Sequence, residues 1–176
     1  MANSTTTQLE RTFPLLTETF DRAFASSFPA YLTSVGQSDP MNASPYVVSL
    51  SRLNGLGWSS IRMKLLRHLT EAIGTLNSHG VHAEAILLGG SFLDLGKEPR
   101  DLDCLILYSR ISAEPSDLSL WQQEQRSRNL DIRMAPMETD PMLLLKLVIY
   151  FSVLYTRAKD HQDSRRGLLL VECSDA

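Results

Sequence analysis

Cysteine is nearly absent from this chain. Two residues, Cys104 and Cys173, among 176 cannot build a disulfide framework or a cysteine-rich metal site. Long apolar runs are missing too. The longest, Met142 to Tyr155, is interrupted by Lys146 and falls short of the ~20 residues that span a bilayer. Neither sign of charge dominates: the net charge of −3 gives no electrostatic case for broad binding to nucleic acid or anionic membrane, though it is compatible with a local basic groove. The first seven residues hold no basic segment leading into an apolar one, so no signal peptide is expected and the cytoplasm is the expected location. Four histidines lack zinc-ligand spacing and read as surface or capping residues. What remains is an ordinary soluble composition, 43% hydrophobic and 21% charged, long enough for one domain with its own core.

Residues 1–8 are polar and expected to be disordered. Leu16, Phe20, Phe24 and Phe28 recur every four residues, which predicts a short amphipathic helix with a core-facing stripe. Three prolines between 29 and 45 predict a loop. Residues 1–58 thus form an N-terminal helix and Pro/Ser-rich loop, ahead of a main domain over 59–172. In that domain Ile61, Leu65, Leu66, Leu69, Ile73 and Leu76 make a helical stripe, with Ser59 or Ser60 as cap and Gly80 as terminator. Strands are predicted over 83–88, 101–108 and 129–134, with a loop and short helix over 112–128. Asp140-Pro141 is a strong helix start, and that helix is expected to run over 140–159. It is apolar on most sides, so it is either the central buried helix or an oligomer or partner surface. A last strand is expected over 168–171. The fold class is α+β, a mixed sheet packed against helices.

The chemistry concentrates in residues 86–106. An apolar strand runs into Gly89-Gly90-Ser91, and ten residues after that serine Asp101-Leu102-Asp103 opens a second apolar strand. Alternate strand residues share a face, so Asp101 and Asp103 lie about 7 Å apart on one side, with Leu102 and Cys104 on the other. Two carboxylates facing a glycine-serine turn suit a hard divalent cation and a phosphate. Asp103 as a purely structural residue would put a carboxylate inside an apolar strand at a desolvation cost. A third carboxylate, Asp131, sits between Leu130 and Ile132 on a later strand.

These pieces resemble the nucleotidyltransferase superfamily with the DNA polymerase beta-like palm, whose signature is an apolar residue, Gly, Gly or Ser, a gap of roughly ten, Asp-apolar-Asp, and a later third carboxylate. The match covers about 50 residues. A weaker resemblance, to short bacterial proteins of the same superfamily, extends over residues 55–170 through Gly90-Ser91-Phe92, Pro99-Arg100-Asp101-Leu102-Asp103 and Phe151-Ser152-Val153-Leu154-Tyr155. The resemblance implies a nucleotidyltransferase-like sheet and transfer of a nucleoside monophosphate from a nucleoside triphosphate such as ATP to an acceptor hydroxyl. Asp101, Asp103 and Asp131 are then the catalytic residues and the ligands of Mg2+ or Mn2+. Gly90 admits the phosphates, Ser91 hydrogen-bonds them, and Lys97, Arg100 and Arg133 are nucleotide-binding candidates. Short members often act as antitoxins that nucleotidylate a partner toxin, so a protein acceptor leads, with RNA next and no role for a membrane. The alternatives are a catalytically silent interaction protein on the same fold, and a small-molecule or defence-signal nucleotidyltransferase.

Other charged and aromatic residues read more simply. Asp94 and Glu98 flank the turn as solvated loop residues. Arg157, Lys159, Arg165 and Arg166 suit a helix C-terminus and a solvated tail. Tyr108, Trp121 and Tyr155 are candidates for stacking a base, but core packing is the simpler assignment.

Overall fold

The computed structural model describes residues 16–32, 40–112, 117–157 and 166–173. The expected disorder of residues 1–8 and the side chains of Lys159 and Arg165 lie outside that set.

The domain is α+β, as expected. A five-stranded mixed sheet has the order β1-β5-β2-β3-β4, with β1 Tyr46–Ser49, β2 Val81–Gly89, β3 Leu102–Arg110, β4 Leu130–Pro136 and β5 Leu169–Glu172. β2 is antiparallel to both β3 and β5, while β4 runs parallel to β3 and β1 parallel to β5. A parallel pair needs a crossover, and α4 (Leu118–Ser127) supplies it between β3 and β4. β1 has no counterpart in the sequence reading, which finds only a loop as far as residue 45 and no strand after it. Its four residues become a strand by pairing with β5, more than 100 positions away.

Helices cover both faces. On one face lie a helix at residues 16–25 (α1), α2 (Leu50–Asn54), α3 (Ser60–Leu76) and α4. Leu65, Leu66, Leu69, Ile73 and Leu76 of α3 meet Ile86, Leu88, Cys104, Ile106 and Ile132 from the strands, with Phe20, Phe28 and Trp58 completing the core. On the other face lies α5 (Pro141–Tyr155), packed on Leu87, Leu105 and Ala135. The period-two alternation of each strand divides its residues between these two cores.

Several boundaries differ from the sequence reading. Ile61 is exposed because it lies in the first turn of α3, and Arg62 takes the buried position. α1 ends before Phe28, which is buried in a left-handed conformation and donates its N–H to the Ala23 carbonyl at 2.8 Å. Gly80, at φ 77°, closes a 3-10 turn after α3 rather than α3 itself. Asp140 caps α5 by accepting from Met142 N and Leu143 N at 3.0 and 3.2 Å. That helix ends at Tyr155 rather than 159, where Thr156 Oγ1 donates back to the Ser152 carbonyl at 3.0 Å, a local bond that competes with helix continuation. Among the described residues, no helix is long and apolar enough to cross a membrane.

Candidate active site

β2 delivers the chain to Gly89 and Gly90. Gly90 sits at φ +69°, a left-handed conformation open to glycine and disfavoured for other residues. A Cβ there would also collide with the Asp103 carboxylate. The glycine therefore serves twice, bending the strand into the 3-10 turn Gly90–Leu93 and letting a carboxylate rest against its backbone. Phe92 and Leu93 are buried and anchor the turn, with the Phe92 ring centred 5.2 Å from that of Trp58. Ser91 is half-buried in the same turn.

Register aligns the acidic residues. Gly89 pairs with Asp103 across β2 and β3, and Asp103 pairs with Asp131 across β3 and β4. Neighbouring strands lie ~4.8 Å apart, so the two carboxylates stand side by side on three adjacent strands' common row. Both are half-buried. Two like charges in such a pair repel, and a cation between them would relieve the repulsion.

Arg133 partly does so. It lies on the same face of β4 as Asp131, and its Nη2 is 3.4 Å from Asp131 Oδ1 and 3.5 Å from Oδ2. Asp131 Oδ1 is nevertheless shielded from solvent with no hydrogen-bond partner; the Arg133 contact to it is an ion pair without hydrogen-bond geometry. An orphaned carboxylate oxygen beside a second carboxylate fits a hard cation, which takes oxygen ligands. Among the described residues, no three His, Cys, Asp or Glu side chains converge into a ready metal cage. Magnesium does not require one, since it is usually held by one or two carboxylates plus substrate phosphates and water.

Asp101 is exposed and lies one residue before β3, not inside the strand as the sequence suggested. It joins Asp131 and Arg133 in lining an open cleft of about 400 Å³ with Arg126, Asn129 and Leu130. Asn129 also falls outside its expected strand: at φ 64° it is left-handed, turning the chain from α4 into β4. Asparagine tolerates that conformation. Lys97 and Arg100 are exposed on the preceding loop and do not line the cleft.

Two buried residues outside the acid row border the site. Arg62 of α3 is buried. Its Nε donates to the Phe92 carbonyl at 2.9 Å, and its Nη2 to the Asp94 and Lys97 carbonyls at 2.5 Å each. It thus clamps the loop that follows the glycine turn. Burial lowers its affinity for its proton, and Glu98 and Asp94 counter that. Its sequence signal was a charge at a position continuing the apolar stripe of 65, 66, 69 and 73. Asp94, expected to be solvated, is instead half-buried in the same lock, paired with Arg166 at 2.8 Å; Glu98 is solvent-exposed as expected and also accepts from Ser59 Oγ at 2.9 Å. Arg166 is accordingly an anchor rather than a solvated tail.

Tyr155, at the end of α5, is the second. Its Cβ would lie 2.7 Å from a Cβ built at Gly89. Burial, and then the neighbouring Cys104, Asp103 and Asp131, hold its phenol well above the usual range, with Arg133 opposing. It stays a neutral hydroxyl beside the acid pair. Tyr155 and Trp121 are both buried, as core packing requires.

The site is thus an acidic strand row backed by a glycine turn, on an α+β sheet. Residues 38–172 match the model of a family described as a family of unknown function, DUF6932, and the chain belongs to that family. No curated protein and no solved structure matches it.

Proposed function

We propose that the protein is a metal-dependent nucleotidyltransferase of the cytoplasm, transferring a nucleoside monophosphate from a nucleoside triphosphate to an acceptor hydroxyl, foremost on a protein in the manner of an antitoxin acting on its toxin, and otherwise on RNA. One observation carries the reading: Asp103 stands in register with Asp131 and against the backbone of Gly90. Carboxylates and a close-approach glycine turn are what a triphosphate with its cation requires.

Asp103 and Asp131, joined by Asp101 turning in from the strand end, would hold Mg2+ or Mn2+, which when bound neutralises phosphate charge and polarises the reacting phosphoryl group. The remaining work falls to the chain itself. The Gly90 backbone admits the phosphates closely, and Ser91 donates its hydroxyl to one of their oxygens. Arg133 turns from Asp131 toward the triphosphate, and the long exposed side chains of Lys97 and Arg100 extend toward it from the loop that Arg62 holds in place. Asp131 takes the proton of the acceptor hydroxyl as its oxygen bonds to the α-phosphorus. The bond from that phosphorus to the bridging oxygen breaks, and pyrophosphate leaves.

The test is transfer of α-labelled nucleotide from each of the four ribonucleoside triphosphates, with magnesium or manganese, in lysate of the source cells. Wild type is compared with Asp103→Asn. A labelled protein or RNA with wild type alone is the expected result. No label under any combination, with both proteins folded, overturns the proposal and favours the catalytically silent interaction protein, for which the exposed apolar side chains of α5 speak.

A further inference from the structure

α5 is the most apolar of the helices, and among the described residues only one side of it is covered. Leu144, Leu147, Val148, Phe151 and Tyr155 pack on the sheet. The opposite side carries Met142, Leu145, Ile149, Tyr150, Val153 and Leu154, exposed by 74, 53, 55, 59, 53 and 42%. Such side chains leave on the order of 600 Å² of apolar surface uncovered, the upper end of what monomers expose. Adding Leu143 and the aliphatic stem of Lys146 brings the face close to the ~800 Å² per partner of a standard interface.

We propose that this face is the interface of a two-fold homodimer, in which α5 packs antiparallel against α5 of a second copy. The inference is independent of the chemistry proposed above. The shape of the surface limits the occupant. It is a convex helical ridge, so it offers no pocket for a small ligand and no groove for a peptide. Ridges of this kind seat in the grooves of another helix. It carries one cation, Lys146, and no acidic residue. A membrane-surface helix needs a polar face rich in Lys and Arg, and the polar face is missing here because the sheet covers the other side. A second α5 supplies matching length and an equal apolar area, and two-fold pairing is the commonest way in which identical chains associate. In an antiparallel pair centred between Lys146 and Ile149, Met142 of one copy meets Val153 of the other. Lys146 of one copy then lies against Ile149 and Tyr150 of the other, where the ammonium can rest on the ring.

Light scattering coupled to size exclusion, well above micromolar concentration, tests this on the full chain. Wild type is expected at twice 19.7 kDa. Ile149→Lys, which sets a second ammonium against Lys146 of the other copy, and Val153→Lys, which drives a charge against its Met142, are both at exposed positions and are expected to run at the mass of one chain with an unchanged circular dichroism spectrum. A wild type that stays monomeric overturns the proposal, including one whose α5 instead captures a different protein. So does a dimer that survives both substitutions, because the copies would then meet elsewhere.

Discussion

Arg62 is a charge placed where its helix is otherwise apolar, and three backbone carbonyls explain it. The loop from Gly90 to Arg100 has no strand partner for its carbonyls, and buried carbonyls left unpaired cost about 1–3 kcal/mol each. The guanidinium satisfies Phe92, Asp94 and Lys97 together, and its planar fork does so without losing its charge. Arg62→Met keeps the stem and removes the donors. It is expected to lower stability by about 3 kcal/mol, read as a drop in the urea midpoint, and to loosen the glycine turn so that amides 91–98 exchange faster with deuterium. An unchanged midpoint would mean that the carbonyls find other partners and that the clamp is ornamental. Of the site residues, Gly90, Asp103 and Asp131 were legible in the sequence because glycine turns and carboxylates between apolar neighbours are local signals. Arg62, and the locking partners of Asp94 and Glu98, were not. Their roles depend on residues some 30 to 70 positions away, and only the fold supplies those.

At the scale of elements, the pairing of β3 with β4 carries both a penalty and a purpose. Parallel register sets Asp103 beside Asp131, an arrangement that like charges resist. Asp103→Asn removes one of the two charges at nearly constant volume. The variant is expected to be at least as stable as wild type without divalent cation. Magnesium should then raise the melting temperature of wild type, by an amount equivalent to about 2.7 kcal/mol at hundredfold excess over Kd, and leave that of the variant unmoved. Equal shifts in both would place the cation away from Asp103. The elements were read well where a local signal is strong: the apolar stripe of α3, the apolar runs of β2 and β3, and the Asp140-Pro141 start of α5, whose end at Tyr155 was not legible. β1 escaped because Tyr46-Val47-Val48-Ser49 is too short to show a period, and its strand character comes from β5. The uncovered side of α5 escaped for a related reason: an apolar sequence says that a helix must be covered, but not by what.

Burial makes Cys104, Cys173 and Tyr46 keep their protons to higher pH in the folded molecule than in the unfolded chain, and this makes the core measurable. Cys104 is fully buried, and burial, then the nearby Asp103, Asp131 and Cys173, push its thiol far up. Burial, followed by Glu172 and Glu84, raises Cys173 to about 12, and burial alone takes the Tyr46 phenol to about 12. In the unfolded chain such thiols ionise near pH ~8.5 and phenols near ~10. The folded values are raised, so the contribution of these groups is fully present below about pH 8.5. It is lost as pH climbs toward about 12, because the unfolded state gives up its protons first. Each thiol therefore withdraws about 2 kcal/mol of stability by about pH 10. The urea midpoint of wild type should fall between about pH 8 and pH 10, and the double variant Cys104→Ala, Cys173→Ala should fall less steeply from a lower starting point, since each substitution also leaves a small cavity. Neither thiol should react with a disulfide reagent in the native state, because the attacking species is the thiolate. A midpoint that stays level across that range, or a thiol that titrates at its unfolded pH in native protein, would show that water reaches the layer between α3 and the sheet. That layer also underlies the acid row, since Cys104 follows Asp103 on β3 with its side chain on the opposite face. A wet core would then leave Asp103 and Asp131 on a base too mobile to keep them in register, so the alkaline titration probes the rigidity on which the proposed chemistry depends.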